Sequence, residues 1–275
     1  MSAKIVVSLL ILAHLLNDFV FQSRNVAYNK GEDVKLLIQH CLSGVLISII
    51  LTWYYLSWWL IGIEILIYIF HFVIDGYKTK LRELNWSMIT EVRLFMIDQL
   101  AHILIITATY PLLKLANISL RAWGHFFNHQ VLFRIFPVFK TLDLGHMDWY
   151  IILLTIAAYI FIWRPASFLV DKTLLNLKEN STKEEIKDNA GELIGKLERT
   201  LLLTLVLSHN LFAVVIVFAA KSLTHFNNFD KEGFANYYLV GTLSSLLIAV
   251  VIGTLLNLVI YLEGYQASFI IGKLF

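Results

Sequence analysis

The sequence predicts an all-α, polytopic membrane protein of about seven transmembrane helices, four in a front group and three in a back group. Three observations carry this. The 275 residues are 58% hydrophobic and only 15% charged, and the mean hydropathy is +0.71, too apolar for an ordinary soluble domain. Several windows reach the ~20 apolar residues that a membrane helix needs. Alternating strand patterns between turn signals do not recur, which argues against a barrel.

The spans fall at roughly 4–22, 34–56, 58–76, 89–113, 148–165, 200–222 and 236–262. Lys4 and an apolar run open the chain with no small-residue cleavage pattern after them, so the first span reads as a retained helix. WYYLSWW at 53–59 fits an aromatic interface belt. Residues 1–115 read as a four-helix membrane domain. Residues 116–147 form an aromatic, mildly basic connection broken by Pro137, suited to lie along the interface. Residues 148–275 read as a three-helix membrane domain, with the polar segment 171–198 as its soluble portion. In that back half Glu198, Arg199 and Lys221 sit at predicted helix ends, and Gly241, Ser244, Ser245 and Gly253 permit close helix packing. A lid, a partner surface and a homodimer interface all stay open there.

Lys and Arg set the orientation. They concentrate in the loops opposite the N-terminus: Arg24, Lys30, Lys35, Lys78, Lys80, Arg82 and the basic residues of 164–199. That side, called B, is expected to be cytoplasmic in a bacterial inner membrane, with the N-terminus outside on side A. A net charge of +2 is too small to suggest nucleic acid, and the lone Cys41 excludes an intramolecular disulfide.

Three apolar spans each carry a His and an Asp four residues apart: His14 and Asp18, His71 and Asp75, Asp98 and His102. The first two run from A to B. The third runs back, and its order is reversed. Reversal is what a returning helix needs to hold the same groups at the same depth. With a rise of ~1.5 Å per residue, each Asp lies about 6 Å nearer side B than its His. His40, near the B end of the second span, shares this depth. Residues four apart share a helix face, so each pair can aim two ligands at one point.

Each pair alone reads equally well as an internal His–Asp hydrogen bond. Three pairs at matched depth favour one shared centre. A central membrane carboxylate costs ~2.5–3.5 kcal/mol on insertion scales, and cations would offset three of them. Imidazole and carboxylate without thiolate suit zinc, with manganese or iron as alternatives. Seven ligands exceed what one catalytic zinc uses, so His14, Asp18, His40, His71, Asp75, Asp98 and His102 are expected to hold two ions. Two divalent ions against three carboxylates leave a small positive surplus for a hydroxide or an anionic substrate.

Around this centre Gln22, Lys30, Lys78 and Arg93 are candidates to hold a substrate head group. Arg24, Lys78 and Lys80 read equally as topology charges, and Arg93 as a partner of Glu91. Asn17, Gln39 and Gln99 are candidate partners of the metal-bound histidines. Asp98 is a candidate general base. His125 and His129 read as interfacial. Ser8, Ser43 and Ser48 show no nucleophile motif, and no Gly-rich phosphate loop is present.

The stretches LLILAHLLNDFVFQ at 9–22, NKGEDVKLLIQH at 29–40, HFVIDGYK at 71–78 and FMIDQLAH at 95–102 resemble a bacterial membrane family known as the domain of unknown function 3307 family. The resemblance covers mainly residues 5–115. GKLERT, AAKS and LVGTL look like the C-terminal half of longer members. Where relatives usually show Gly-Asp, this chain has Asn17–Asp18, keeping the carboxylate. The family implies no activity. The HxxxD spacing is also similar, at motif level, to inner-membrane metal-dependent hydrolases and to helical zinc phospholipase C and P1 nuclease enzymes, which implies phosphoester hydrolysis.

The expectation is therefore a metal-dependent hydrolase acting on a phosphoester or acyl bond of a lipid-like or amphipathic substrate at the cytoplasmic leaflet. One rival is a proton-coupled or metal-ion transporter. Against it, the sequence shows no polar trail from the cluster toward side A. The other rival is a non-catalytic protein stapled by a structural metal.

Overall fold

The computed structural model describes residues 2–83, 91–116, 146–178, 189–224, 226 and 233–264. The described residues contain no strand. The chain divides into two compact units, Met1–Ala157 and Ala158–Phe275. The expected connection at 116–147, with His125 and His129, lies almost wholly outside the described residues, as does the middle of the polar segment at 179–188.

Among the described residues six helical stretches are long and apolar enough to cross a membrane: Ser2–Phe21, Val34–Tyr55, Trp58–Lys78, Glu91–Leu115, Trp149–Leu174 and Phe234–Leu262. This is a multi-pass membrane protein. The seventh expected span, 200–222, is broken. One helix ends at Leu207 and the next begins at Leu211. Between them His209 adopts a left-handed φ of 56°, and Asn210 Oδ1 caps the new helix by accepting from the Ala213 N–H at 3.2 Å. Asn is among the strongest N-caps, so the polar triplet Ser208-His209-Asn210 ends one helix and starts another.

In the first unit α1 (Ser2–Leu16) passes into a π-helical turn, Asn17–Phe21. The short α2 (Arg24–Asn29) is capped by Ser23. Asp33 caps α3 (Val34–Thr52) by accepting from the Lys35 N–H at 2.8 Å. A 3-10 turn, Trp53–Tyr55, leads to α4 (Trp58–Glu83), followed by α5 (Glu91–Ala108) and α6 (Tyr110–Leu115). Val6, Leu10, Leu60, Ile63, Ile67 and Ile106 lie in the core between α1, α4 and α5. Large side chains such as Leu42, Leu46, Ile50, Ile65, Ile69 and Leu104 stay exposed, as lipid-facing surfaces would.

Lipid is as apolar as leucine, so burial alone drives little helix association in a bilayer. Close packing and polar links between helices must do more. Gly44 shows the first. A Cβ there would fall 2.1 Å from Tyr68 Cε1, so α3 and α4 approach as they do because position 44 has no side chain.

The second unit takes the last part of α7 (His146–Trp163), then α8 (Pro165–Lys178), α9 (Asn189–Leu207), α10 (Leu211–Thr224) and α11 (Phe234–Leu262). Gly253 of α11 meets α9 closely: a Cβ would lie 2.6 Å from Val206 Cγ1. Arg199 is buried. It donates to Ser167 Oγ at 2.5 Å and to Ser245 Oγ at 3.3 Å. Lys221 pairs with Glu198. Glu198 and Arg199, expected at a helix end, lie in the middle of α9 because that helix begins at Asn189, while Lys221 lies in the last turn of α10; these charges tie the helices of this unit together.

Candidate metal centre

Each of the three His–Asp pairs reaches the centre from its own helix, and His40 joins from α3. The rings of His14, His71 and His102 gather closely. Their centroids lie 4.1 Å apart for His71–His102, 4.8 Å for His14–His102 and 5.4 Å for His14–His71. His40 stands 5.1 Å from His71. All four histidines, together with Asp75 and Asp98, are almost fully buried.

The tightest convergence is at four atoms. His40 Nε2 lies 3.1 Å from His71 Nε2 and 3.3 Å from Asp18 Oδ1. His71 Nε2 lies 3.6 Å from Asp18 Oδ1 and 3.5 Å from Asp75 Oδ2. His40 Nε2 lies 3.8 Å from Asp75 Oδ2. Metal–ligand bonds of ~2.0–2.2 Å in a tetrahedron require ligand atoms to stand roughly 3.3–3.6 Å apart. These five separations bracket that value. A second grouping, Asp75, Asp98 and His102, also brings its ligand atoms within 4.8 Å of one another. There Asp98 Oδ1 and His102 Nε2 are buried with no hydrogen-bond partner. His14 joins Asp18 at 3.7 Å.

The π-helical turn at Asn17–Phe21 explains how α1 delivers its share. A π turn holds more residues than an α turn and appears often at functional sites. Here it lets two consecutive residues reach His40. Asn17 Nδ2 lies 3.3 Å from His40 Nε2 and donates to Asp18 Oδ1 at 3.3 Å. Ser43, one turn after His40, donates to Asn17 Oδ1 at 2.8 Å and so fixes the amide. Gln99 links the two groupings. It donates to Asp98 Oδ2 at 3.1 Å, and its Oε1 lies 3.3 Å from His14 Nε2. Asn17 and Gln99 therefore sit where the sequence expected partners of the histidines. Gln39 does not. It is exposed, about 100° round the helix from His40, and makes no hydrogen bond to the cluster.

Two lysines close the Asp end of the cluster. Lys30 Nζ lies 2.7 Å from Asp75 Oδ2, and Lys78 donates to Asp98 Oδ2 at 2.8 Å. Lys30 lies between two membrane-spanning stretches. Burial works against its charge, but the carboxylates of Asp75 and Asp18 outweigh that and hold its pKa above the ordinary 10.5. With its amide oxygen turned to Lys30, Gln22 accepts from Nζ at 3.2 Å and donates to the Asp18 carbonyl at 2.8 Å. Gln22, Lys30 and Lys78 thus lie together at the Asp end of the cluster, while Arg93 is exposed.

Residues 6–132 match the family described as Protein of unknown function (DUF3307). The chain carries a DUF3307 domain. The seven His and Asp residues of the centre all fall within it. No curated protein and no solved structure matches the chain.

Sequence reasoning missed three contributors within the DUF3307 domain. Ser43 lies in no nucleophile motif, but its position three residues after His40 places it on the same helix face. Tyr68, three residues before His71, sets its ring 5.6 Å from that imidazole, tilted by 45°. With Leu10, Ile67, His14, His71 and His102 it lines a small cavity. Glu64 stands alone in an apolar run. It is fully buried in α4, with Oε1 2.5 Å from Thr52 Oγ1, and Thr52 in turn reaches the Ser48 carbonyl at 2.8 Å. α4 runs from side A to side B, so Glu64 lies on the A side of His71. The expectation of no polar trail toward side A is corrected by this group. A lone acid in an apolar run has no partner visible in sequence; its partners come from the neighbouring α3.

Proposed function

We propose that the DUF3307 domain is a membrane-embedded, metal-dependent hydrolase acting on a phosphoester or acyl bond of a lipid-like or amphipathic substrate. The observation that carries this reading is that His40 Nε2 and His71 Nε2 stand 3.1 Å apart and each lies 3.3 to 3.8 Å from both Asp18 Oδ1 and Asp75 Oδ2, spacings that ligands of one ion would have. Zinc fits this donor set first, and manganese or iron also suit nitrogen and oxygen ligands. A divalent ion here would lower the pKa of a bound water to ~7 and polarise the scissile group. With one ion bound, Asp98, whose Oδ1 is free of hydrogen bonds, would take the proton of the attacking water; with a second ion bound it would serve as a ligand instead.

The lysines bear on the number of ions. Asp18, Asp75 and Asp98 carry three negative charges, and Lys30 and Lys78 return two positive ones. One divalent ion then leaves a surplus of a single positive charge. A second ion at Asp75, Asp98 and His102 would raise the surplus to three. An anionic substrate would offset that, so the second ion is expected to arrive with one. Lys30 and Lys78, turned from the carboxylates, would hold the anion, with Gln22 beside them. The Lys and Arg distribution would place this mouth at the cytoplasmic leaflet of a bacterial inner membrane, with the N-terminus outside.

A transporter is the second reading, favoured by Glu64 on the A side of the histidines. Elemental analysis of detergent-purified protein separates the two. The hydrolase reading expects about one metal equivalent per chain, rising toward two with inorganic phosphate, and turnover of phosphoester or ester lipids. Absence of metal after purification without chelators, and failure to take it up on reconstitution, would overturn it. Ion flux in proteoliposomes without turnover would favour transport.

A further inference from the structure

Apart from the His and Asp centre, the first unit buries one more carboxyl group among its described residues. Glu64 precedes His71 by seven residues on α4, about 10 Å along the helix on the side away from Asp75. It is 0% exposed. Its Oε2 has no hydrogen-bond partner, and its Oε1 meets Thr52 Oγ1 at 2.5 Å. The groups that face it are hydroxyls: Thr52 and Ser48 from α3, and Tyr68 one turn along its own helix.

Proton counting decides the state of this group. A threonine hydroxyl has one proton to donate, and a carbonyl oxygen can only accept. Thr52 Oγ1 lies within hydrogen-bond distance of two oxygens, Glu64 Oε1 at 2.5 Å and the Ser48 carbonyl at 2.8 Å. Both contacts are satisfied together when Glu64 is a carboxylic acid that donates to Thr52 while Thr52 donates to Ser48. An ionised Glu64 would draw the Thr52 proton from the Ser48 carbonyl, or the Ser48 hydroxyl from the Val45 carbonyl at 2.9 Å, and would keep its charge buried with no cation among the groups that face it. Groups in that position neutralise themselves.

We propose that Glu64 is a proton-binding site inside the membrane-spanning bundle, held by Thr52, which the Ser48 carbonyl orients, and separate from the metal centre. Tyr68 stands between it and His71, with its ring 5.6 Å from the imidazole. Glu64, Tyr68 and His71 therefore form a polar file along one face of α4, and Glu64 is its proton-exchanging terminus on the A side. The ligand is a proton, bound by converting the carboxylate to its acid. The rival occupant of the same oxygens is an alkali cation.

Infrared spectroscopy of lipid-reconstituted protein at neutral pH tests this. The wild type is expected to show the carbonyl band of a protonated carboxylic acid that is missing from Glu64→Gln and shifted in Thr52→Val, which loses the acceptor. Identical carbonyl regions in the wild type and Glu64→Gln would mean an ionised Glu64 and overturn the proposal. Loss of the wild-type band on adding sodium chloride, but not choline chloride, would assign the site to an alkali cation and overturn it too. Should Glu64→Gln fail to fold, the Thr52→Val spectrum decides: a shifted band supports the acid, and an unshifted one refutes it. Metal content is unchanged in Thr52→Val on either outcome, so the result stands apart from the hydrolase reading.

Discussion

His71→Ala tests the centre most directly, because His71 Nε2 takes part in three of the five short ligand separations. A structural zinc site is worth ~10–16 kcal/mol, so an even share among four ligands is roughly 2.5–4 kcal/mol each. At ~1.4 kcal/mol per decade of affinity, His71→Ala should weaken metal binding on the order of 10²- to 10³-fold. Asn17→Ala removes only a group that contacts His40 and Asp18. The loss there should be ~10- to 100-fold, the usual effect of an outer partner. Gln39→Ala should change nothing, because its side chain is exposed. Competition against a chromophoric chelator, on protein first shown to be monodisperse, gives all three affinities. The order His71, then Asn17, then Gln39 is required. Equal losses in all three, or an unchanged affinity in His71→Ala, would refute the four-atom centre.

The other outcomes follow from the same geometry. Lys30→Met should destabilise metal-free protein by ~3–5 kcal/mol, the usual cost of removing one partner from a buried pair, and added zinc should restore much of the loss; thermal melts with and without metal check this. Because the pKa of Lys30 is raised on folding, the stabilisation is complete below the ordinary 10.5 and disappears as pH climbs through the raised value. The wild-type advantage over Lys30→Met should therefore hold from neutral pH and shrink only in strong alkali, which melts across an alkaline series would show. Gly44→Ala drives a Cβ into the Tyr68 ring and should cost ~1–3 kcal/mol through overpacking, seen as a lower melting temperature. Gly253→Ala, with its Cβ 2.6 Å from Val206 Cγ1, should cost a similar amount while leaving metal affinity unchanged.

Much of the centre was legible because it obeys helix geometry. The reversed order in Asp98-Gln99-Leu100-Ala101-His102 could be read as a depth match, and the structure brings those residues to His14 and His71. What could not be read was departure from that geometry. Nothing in Asn17-Asp18-Phe19-Val20-Phe21 announces a π turn, since the sequence there is compatible with an ordinary helix and the wider turn follows from what Asn17 and Asp18 contact on α3. The break at Ser208-His209-Asn210 is different. Its cap chemistry was present in the sequence but was outweighed by the long apolar run on either side. Charge was the subtler omission. Lys30 and Lys78 could be read as topology signals from their loop positions, and only the 2.7 and 2.8 Å contacts show them neutralising Asp75 and Asp98.

That pairing has a consequence for any chemistry at the site. A buried carboxylate can be neutralised by a lysine or by a metal; Asp75 and Asp98 each have a lysine within reach, and on the proposed reading each is also a metal ligand. The lysines are the less deeply buried of the two, with Lys78 27% exposed against 3% for Asp98. They can therefore swing outward when a cation takes their place, and an ammonium that leaves a carboxylate at the mouth becomes available to an anion. Metal binding and anion binding are then coupled with a definite sign: each should strengthen the other. The effect should vanish for Asp98 when Lys78 is replaced by Met, because the carboxylate is then open to metal whether or not an anion is present. A proton relay or a purely structural metal would require no such reciprocity, so this coupling, more than the metal itself, separates the proposed hydrolytic centre from those two rivals.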